Sequence, residues 1–467
     1  MTRYLLPALA FFTFAIHVSD AHAVRPDLKR LPIGFAPHEA RWRGLTALEL
    51  QPSRLKPEGP IHSLGEWEDA EAVMTLWTNP AYVKALAQHG PVKLVADTQT
   101  DVRWWSDWLR SKGIPETKVS YFVTPTDTIW VRDYGPWWIV DGAGRVGMVD
   151  TVYNRPRPLD DKFPAYVSQT LGIPRYEPGL VHTGGNYYSD GLGNAFSSTL
   201  VFRENSKLAG SEVLTRMLQF LGIERYTTTP LGAQITIEHL DTFGKLVAPD
   251  TWVVGLFPEN TSFYRDTEKL VALLQGQLSP YGTPYKIFRL KMIPRGGSDY
   301  RAYLNSFISN RALFFPSYGD AADQEAAAVY QAALPGYKIV PVDNGSTGWG
   351  DSVHCRSRNL IRRDTLFIFP RVVPQKAGAP TRVLARVIPS PASSLTGAPK
   401  INWALDGVVQ PPVEMRASGE QTYIAELPRV APGRRVELYV AAADTRGSRK
   451  TAPINAPHGS IGFEAAD

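Results

Sequence analysis

Cys355 is the residue best suited to covalent chemistry, because it is the only cysteine in a chain of 467 residues. It stands in residues 344–359, NGSTGWGDSVHCRSRN, whose glycines let the backbone bend and approach a ligand closely. A lone thiol has no disulfide partner in its own chain, so its use lies in packing, metal binding or reactivity. A buried small side chain and a nucleophile both stay open at this point.

A histidine and a carboxylate stand two positions apart in residues 234–241, QITIEHLD. This run is predicted to be a strand, in which side chains alternate between two faces, so His239 and Asp241 share one face and Glu238 points to the other. Together they could supply a general acid/base and an anchor for a cationic group. An inert, salt-bridged pair at a strand end is the alternative.

A further candidate is Asp133, in residues 128–138, TIWVRDYGPWW. A strand predicted over residues 129–133 ends at a Gly-Pro turn and places Asp133 at a strand terminus, where functional carboxylates are common. Trp130 stands close by, and an indole face attracts a cation or stacks on a guanidinium group. Packing in an aromatic core is the alternative use of the tryptophans here.

Two arginines in residues 153–158, YNRPRP, are candidates for binding an anion. Each proline keeps the arginine before it extended, so Arg155 and Arg157 are predicted to form a rigid clamp for a carboxylate. A solvated basic loop is the alternative. Asn305, which precedes another predicted strand, could hydrogen-bond a neutral or cationic group. The glycine-containing loop at residues 182–191, HTGGNYYSDG, could line a pocket with its backbone.

Several classes of ligand leave no signature in the sequence. One cysteine and nine histidines show no CxxC, HExxH or comparable metal-ligand spacing. No GxGxxG in a βαβ unit and no phosphate-binding loop is present, so nucleotide cofactors are not expected. The net charge of +5 comes without a basic run, which argues against nucleic acid as a partner. Loops rich in Asp and Gly leave a structural calcium or sodium ion open.

The N-terminus predicts export. Arg3 is followed by an apolar run over residues 4–18, and residues 21–23, AHA, fit the cleavage pattern of a signal peptide. We therefore expect residues 1–23 to be removed and the protein to be secreted, into the periplasm or the medium. The apolar run is too short to cross a bilayer comfortably, and no later stretch of that length lacks charges, so no membrane span is predicted.

The elements that must position the candidate residues alternate from about residue 60 to residue 370. Short apolar strands come in twos and threes between amphipathic helices, which are predicted at residues 98–112, 163–171, 207–221, 266–278 and 320–333. A strand is also predicted over residues 199–203. The pattern indicates a repeated mixed α/β module rather than a doubly wound sheet.

The two ends of the chain have a different texture. Residues 24–60 form a proline-rich lead-in, and residues 375–381 read as a polar linker after a module that spans residues 61–372. From residue 382 to residue 467, turn residues separate short alternating segments, at residues 382–388, 400–405, 421–427 and 435–442. This spacing predicts a small immunoglobulin-like β-sandwich without an inter-sheet disulfide.

Five motifs in this order resemble one family. WVRDYGPWW, HTGGNY, IEHLD, YLNSF and HC follow one another as in the guanidine-modifying superfamily. The sequence is similar to bacterial secreted peptidylarginine deiminases of the Porphyromonas type, with agmatine deiminases as near relatives. The resemblance covers about residues 60–371. It implies a five-bladed, pseudo-fivefold α/β propeller with the site at its centre, followed by an immunoglobulin-like domain.

The resemblance also implies roles for the candidate residues. Cys355 would be the nucleophile and His239 the general acid/base. Asp133 and Asp241 would bind the guanidinium, and Asn305 would complete the site.

Substrate contacts are expected at Trp130, Arg155, Arg157 and Glu238. The chain departs from its relatives two positions after the cysteine, where they commonly have threonine. Here Ser357 stands between Arg356 and Arg358, and two arginines beside a cation site are unexpected.

The implied reaction is hydrolysis of the guanidinium of peptidyl-arginine to citrulline and ammonia, through a covalent thiouronium on Cys355. Adjacent His⁺ is expected to favour the thiolate, and this route requires no cofactor. The arginine clamp favours peptides or proteins with a C-terminal arginine, because one charge-assisted pair is worth about 1.5–3 kcal/mol. Agmatine or free arginine is the alternative substrate. From other classes, a Cys–His amide hydrolase and a non-catalytic guanidinium-binding surface protein stay open.

Overall fold

The computed structural model describes residues 31–465, apart from residues 43, 47–48, 233–236, 298, 344–348 and 374–379. The predicted signal peptide lies outside the described residues. So do the first part of the stretch before Cys355, part of the run at residues 234–241 and most of the predicted linker. No helix in the described part of the chain is long and apolar enough to cross a membrane.

Strands and helices alternate through the first three quarters of the chain. The strands are β1 (His62–Ser63), β2 (Ala70–Thr75), β3 (Val92–Ala96), β4 (Val119–Val123), β5 (Trp137–Val140), β6 (Val146–Val149), β7 (Arg175–Tyr176), β8 (Tyr188–Ser189), β9 (Asn194–Ser198), β10 (Arg225–Thr229), β11 (Gly244–Ala248), β12 (Thr251–Leu256), β13 (Lys286–Lys291), β14 (Pro294–Gly296), β15 (Asp299–Tyr300), β16 (Phe307–Ser309), β17 (Ala312–Ser317), β18 (Lys338–Asp343) and β19 (Ser357–Ile361). The helices are α1 (Pro80–His89), α2 (Gln99–Ser111), α3 (Val131–Tyr134), α4 (Pro158–Asp161), α5 (Phe163–Leu171), α6 (Leu200–Glu204), α7 (Gly210–Leu221), α8 (Ser262–Gln275) and α9 (Ala321–Ala333).

Five sheets repeat one unit. Their strand orders are β1-β5-β6-β7, β10-β9-β8, β11-β12-β13, β16-β17-β18 and β19-β2-β3-β4. Each contains an antiparallel pair, such as β11 with β12, and then a parallel pair, such as β12 with β13, whose strands are connected through a helix. The pairing of β19 with β2 brings the end of this region back to its start. The mixed α/β module predicted from the strand spacing is therefore present.

Local sequence signals explain where several helices begin and end. Thr98 and Asp101 form a capping box at the start of α2, and Asp320 and Asp323 form another at the start of α9. Helix α5 ends at Gly172, whose left-handed conformation (φ 63°) suits glycine. These helices match the predicted ranges within a residue or two at each end.

In this part of the fold, one predicted strand and one helix that was not predicted differ from the structure. The strand predicted at residues 199–203 is helix α6, and the strand β9 ends just before it. Helix α1 was not predicted. Five residues, such as 199–203, are too few to distinguish a helical period from an alternating one. This segment lies on the connection from β9 to its parallel neighbour β10, and it forms a helix there.

Cys355 lies in one of the apolar cores of this region. The same cluster contains Met74 from β2, Phe122 from β4, Trp138 from β5 and Leu360 from β19. Because these residues exclude water, charges close to the thiol interact more strongly than they would at the surface.

After residue 366 the described residues form strands in two sheets. The strands are β20 (Phe367–Val373), β21 (Arg382–Ile388), β22 (Lys400–Leu405), β23 (Val408–Glu414), β24 (Arg416–Gly419), β25 (Thr422–Glu426), β26 (Arg435–Ala443), β27 (Arg449–Ala452) and β28 (Ile461–Glu464). One sheet has the order β20-β21-β25-β24, and the other has the order β23-β22-β26-β27 with β28 also paired to β26. A single apolar cluster joins residues of both sheets, among them Val383 and Leu438.

Candidate active site

Cys355 lies fully buried in the turn before β19. Asn305 Nδ2 donates to its Sγ at 3.2 Å, and the Gly350 carbonyl oxygen lies 3.4 Å from the same sulfur. Asn305 Oδ1 accepts a hydrogen bond from the Ser352 N–H at 2.9 Å. It also accepts from the N–H groups of His354 and Cys355, at 3.2 and 3.3 Å. One amide side chain therefore fixes both the sulfur and the loop that carries it.

The structure brings two carboxylates and a histidine next to this thiol. Asp241 Oδ2 accepts from Asn305 Nδ2 at 3.2 Å and lies 3.8 Å from Cys355 Sγ. His239 Nδ1 lies 3.6 Å from Asp133 Oδ1. Each of the five residues is at most 2% exposed. These five residues, which the motifs singled out for chemistry, thus form one buried group.

Asp133 and His239 stand on other elements than the predicted strands. Residues 131–134 form the helical turn α3, so Asp133 lies within a turn of helix. His239 directly precedes a short 3-10 helix, Leu240–Thr242. The strand predictions for residues 129–133 and for the described part of residues 234–241 are therefore wrong. Single turns of helix leave no periodic pattern in the sequence, so neither could be recognised from alternation.

Gly185, which the motif analysis left without a role, lies at the centre of the group. A Cβ atom there would come within 2.6 Å of His239 Nδ1 and 2.8 Å of Asp133 Oδ1. It would also lie 3.3 Å from Asp241 Oδ2. Nearby, Thr183 Oγ1 lies 3.1 Å from His239 Nε2 and holds the ring from its other side. The HTGGNY motif thus contributes its backbone and one hydroxyl to the site.

Burial and nearby charges determine how these groups are protonated. Burial and the charge of Asp241 raise the pKa of Asp133 to about 8, and burial lowers the pKa of His239 to about 4. Burial, Asp241 and Asp133 raise the pKa of the Cys355 thiol well above its ordinary value. At neutral pH the acid, the imidazole and the thiol are therefore all uncharged. The expected thiolate beside His⁺ is not the resting arrangement.

Three buried polar atoms of the group have no hydrogen-bond partner among the residues that the structure describes. They are Asp133 Oδ1, Asp241 Oδ1 and His239 Nδ1. Buried polar atoms are ordinarily paired, so this cluster is suited to a ligand that donates several hydrogen bonds. A guanidinium group is planar, positively charged and rich in N–H donors, and it matches two facing carboxylates.

Arg157 does not form the predicted clamp with Arg155, because its guanidinium is already bound. It is 1% exposed, and its Nε donates to Glu39 Oε1 at 2.9 Å. Its Nη2 donates to the carbonyl oxygens of Pro32 and Gly34, at 2.7 Å each. The lead-in segment thus supplies a carboxylate where a substrate carboxylate was expected. This partner lies 118 positions earlier in the chain, beyond the reach of a local pattern.

Arg155 has weaker partners. Its Nη1 donates to the Asn154 carbonyl oxygen at 2.9 Å, and its guanidinium carbon lies 4.4 Å from the centre of the Phe35 ring. Its Nε has no hydrogen-bond partner among the described residues. The positive charge of Arg155 lowers the pKa values of both Asp133 and His239, which places it near the buried group. Of the two arginines predicted to form the clamp, Arg155 is therefore the one with an N–H donor left for a ligand.

The Trp130 ring, predicted to contact a substrate cation, contacts a cation of the protein itself. The Arg356 guanidinium carbon lies 5.0 Å from the centre of the Trp130 ring and 4.5 Å from that of Trp77. Asp351 Oδ1 accepts from Arg356 Nε at 2.8 Å. Arg358 donates to a backbone carbonyl oxygen at 2.8 Å. Both unexpected arginines are thus bound within the protein, one of them beside the thiol.

Glu238, the remaining predicted substrate contact, forms an ion pair with Arg203. Its backbone has a positive φ of 50°, which is uncommon for a residue other than glycine. The structure therefore does not bring its carboxylate into the group around Cys355.

Motif reasoning missed Glu66 and His354. His354 Nδ1 lies 2.7 Å from Asp241 Oδ2, and its Nε2 lies 2.9 Å from Glu66 Oε2. The position of His354 next to the only cysteine was a usable signal. Glu66 had none, because it stands 288 positions before His354. Among the described residues, no group of three or more His, Cys, Asp or Glu side chains is arranged to hold a metal ion.

Comparison with known proteins identifies the family of this region. Residues 61–360 match the family model of Porphyromonas-type peptidyl-arginine deiminases. The agmatine deiminase of Ectopseudomonas mendocina is 24% identical over 373 residues, which cover 71% of this chain and 95% of that protein.

Solved structures of relatives share the mixed α/β fold. The agmatine deiminase of Enterococcus faecalis matches 64% of this chain and 95% of its own, with a TM-score of 0.57 and 20% identity. The C. jejuni agmatine deiminase matches 66% and 99%, with a TM-score of 0.55 and 22% identity. Since the family match alone covers well over half of the chain, the protein belongs to the Porphyromonas-type peptidyl-arginine deiminase family and is a hydrolase that acts on the C–N bonds of amidines.

Proposed function

We propose that the protein hydrolyses the guanidinium group of a C-terminal peptidyl-arginine to citrulline and ammonia, with Cys355 as the nucleophile. One observation carries this proposal. Among the described residues, the buried carboxylates Asp133 and Asp241 near the thiol each have an oxygen without a hydrogen-bond partner, and His239 has a nitrogen without one. Two carboxylates fix the plane of a guanidinium and align its carbon for attack.

Substrate binding changes the charges of the site. A guanidinium cation between the carboxylates favours the ionised form of Asp133 and removes the repulsion that keeps Cys355 protonated. The thiol proton then passes to His239, which is neutral and free to accept it at Nδ1. The substrate thus generates its own nucleophile, because its charge replaces the His⁺ expected from the sequence.

Two half-reactions follow, with the protons balanced. The thiolate of Cys355 attacks the guanidinium carbon, and protonated His239 gives its proton to the departing nitrogen, which leaves as ammonia. This leaves a positively charged S-alkylthiouronium. His239 then takes a proton from water, and the hydroxide adds to the same carbon. The proton of the new hydroxyl group passes to the sulfur as the carbon–sulfur bond breaks, which releases the ureido product and the thiol. The proton left on His239 goes to the released ammonia, which becomes ammonium. No cofactor enters this route.

Arg155 supports a substrate with a carboxylate. Its Nε has no partner in the part of the chain that the structure describes, and its charge acts on Asp133 and His239, whereas Arg157 is bound to Glu39. A single arginine can still bind a peptide C-terminus, and one charge-assisted hydrogen bond is worth about 1.5–3 kcal/mol, or roughly 10- to 150-fold in binding. Trp130 and Glu238 have less direct roles in this proposal, because each is paired within the protein.

Agmatine is the second candidate substrate, because the relatives reported above are named agmatine deiminases. Agmatine has no carboxylate and would leave Arg155 without a role. Free arginine is intermediate, because it has the carboxylate of the C-terminal arginine but no peptide chain.

The proposal extends to the architecture and the destination of the protein. Five sheets with the same unit, and the pairing of β19 with β2, support a five-bladed α/β propeller over residues 61–372. Two sheets on one core support an immunoglobulin-like domain over residues 382–467. The signal at residues 1–23 supports export of the protein, with residues 24–60 as the lead-in.

Citrulline or ureido formation by the purified protein tests the substrate. We would compare three substrates: a peptide ending in arginine, the same peptide with arginine internal, and agmatine. Each would be tested with the wild type and with the Arg155→Leu variant. The expected result is turnover of the first peptide, with a KM that rises about 10- to 150-fold in Arg155→Leu. Agmatine turnover should fall much less, because for agmatine only the effect of the Arg155 charge on Asp133 and His239 is lost. Preference for agmatine would preserve the chemistry and refute the carboxylate anchor.

A further inference from the structure

His354, which precedes Cys355 in the chain, lies between two carboxylates. Its Nδ1 is 2.7 Å from Asp241 Oδ2, and its Nε2 is 2.9 Å from Glu66 Oε2. The ring is fully buried. A neutral imidazole carries one N–H, so two contacts of this length require one further proton, on the ring or on a carboxylate. The three side chains therefore act as one hydrogen-bonded unit.

Glu66 is fixed from all sides. Its Oε1 accepts from the Ile308 N–H at 2.8 Å and from the Lys245 ammonium. Arg132 Nη2 lies 2.7 Å from Oε2. Burial alone would raise the pKa of Glu66, but Lys245 and Arg132 hold it well below its ordinary value. Glu66 is therefore an ionised, immobile anchor for the His354 ring.

The consequence falls on Asp241. Its Oδ2 is held by His354 and by Asn305, whereas its Oδ1 has no partner among the described residues. A carboxylate held through one oxygen presents the other in a fixed direction. Because His354 and Asn305 occupy Oδ2, Oδ1 is the oxygen of Asp241 that can accept from a cation.

We propose that Glu66 and His354 are positioning residues, which hold Asp241 through Oδ2 so that Oδ1 faces the substrate guanidinium. Neither residue touches the reacting atoms in this arrangement. The inference rests on the proposed function, because it assigns the guanidinium to Asp241.

Several charged or titratable groups face the His354–Asp241 pair and share in its pH dependence. They are Glu66, Arg132, Lys245, Asp133, His239, Tyr188 and Cys355. Of these, Arg132 and Lys245 carry positive charge that Glu66 offsets.

The same loop supplies a matched control in Glu68. Its side chain is largely buried, like that of Glu66, and it also faces a lysine, Lys450 of β27, at 3.6 Å. Asp69 shares this partner at 2.9 Å. Glu68 has no contact with His354, so Glu68→Gln perturbs the loop and its charge without touching the proposed unit.

The test is the pH profile of kcat/KM for the guanidinium substrate that the wild type turns over best, with KM and kcat measured separately. His354→Leu removes the donor to Asp241. Its kcat/KM at pH 7 should fall about 10- to 150-fold, mostly through KM, and the rising limb should move to higher pH. His354→Asn keeps an N–H near the position of Nδ1 and should recover most of the activity. Glu66→Gln leaves Arg132 and Lys245 unopposed, so its limb should move to lower pH while KM rises. Glu68→Gln should keep the wild-type profile.

Opposite displacements of the limb in the His354 and Glu66 variants would support the proposal. An unmoved limb in both, or an equal displacement in Glu68→Gln, would overturn it. If His354→Leu does not fold, as judged by near-UV circular dichroism, the conservative His354→Asn and Glu66→Gln still decide the matter. With these two variants, a pH profile of kcat/KM in Glu66→Gln that equals that of the wild type overturns the proposal. No ureido product from the wild type with any guanidinium substrate would overturn the proposed function as well, which distinguishes the two failures.

Discussion

Replacing Asp133 by asparagine should stabilise the fold while it abolishes substrate binding. Asp133 is 2% exposed and lies close to a second carboxylate, Asp241. Burial and that neighbour raise its pKa to about 8, so the folded protein holds Asp133 protonated at neutral pH. Asparagine imitates a protonated carboxyl group but cannot ionise when a cation arrives.

The magnitude follows from the two pKa values. Between pH 5 and pH 7 the carboxyl group is ionised in the unfolded chain, where the pKa is 3.8, and protonated in the fold. The fold therefore binds one more proton than the unfolded chain, and the free energy of unfolding falls as pH rises, by about 1.4 kcal/mol per unit. Over these two units Asp133 lowers the stability of the wild type by about 2.7 kcal/mol, and asparagine does not.

The assay is urea denaturation of wild type and Asp133→Asn at pH 5, 6 and 7. The difference in the free energy of unfolding should grow in favour of the variant at each step. Asp364→Asn, at a surface carboxylate whose side chain is 56% exposed, is the control and should show no such growth. A stability difference that does not change with pH would refute the assigned protonation of Asp133 and the charge logic of the proposed mechanism.

Two further substitutions and a pH profile of the wild type test separate parts of the structure. Gly185→Ala should lower kcat/KM by about 100-fold or more, because the new Cβ atom would lie 2.6 Å from His239 Nδ1 and 2.8 Å from Asp133 Oδ1 and would push both groups out of place. Unchanged kcat/KM in steady-state kinetics on a folded variant would contradict this. Glu39→Ala should cost about 3–5 kcal/mol in the free energy of unfolding, since it leaves the Arg157 guanidinium buried without its carboxylate, and an unchanged melting curve would disprove that pairing. In the wild type, kcat/KM should rise with pH up to about 8, as Asp133 ionises in the free enzyme, and a flat profile from pH 6 to pH 9 would contradict the raised pKa.

Parts of the fold that depend on local patterns could be predicted from the sequence. The capping boxes at Thr98 and Asp320 mark helix starts, and residues 382–388 and 400–405 were assigned to strands with the observed bounds. The mixed character of the module followed from the spacing of strands and helices. Single helical turns such as α3 could not be predicted, because four residues span little more than one helical period and cannot show a repeating pattern.

The candidate site was reached through ordered motifs rather than through geometry. The strand expected to place His239 and Asp241 on one face does not form. Even so, Asp241 lies 3.8 Å from Cys355 Sγ, and His239 lies 3.6 Å from Asp133. The contacts that depend on distant partners were out of reach. Glu39 lies 118 positions before Arg157, and Glu66 lies 288 positions before His354. Neither carboxylate stands in a motif.

The central claim is that Cys355 forms a covalent bond to the guanidinium carbon of its substrate. The most direct measurement is intact-mass spectrometry of the enzyme quenched in acid during turnover, followed by peptide mapping, with Cys355→Ala alongside. The account predicts an adduct on Cys355 whose mass equals that of the substrate less ammonia, and no ureido product from Cys355→Ala. Undiminished product formation by Cys355→Ala, with no adduct in the wild type, would contradict it.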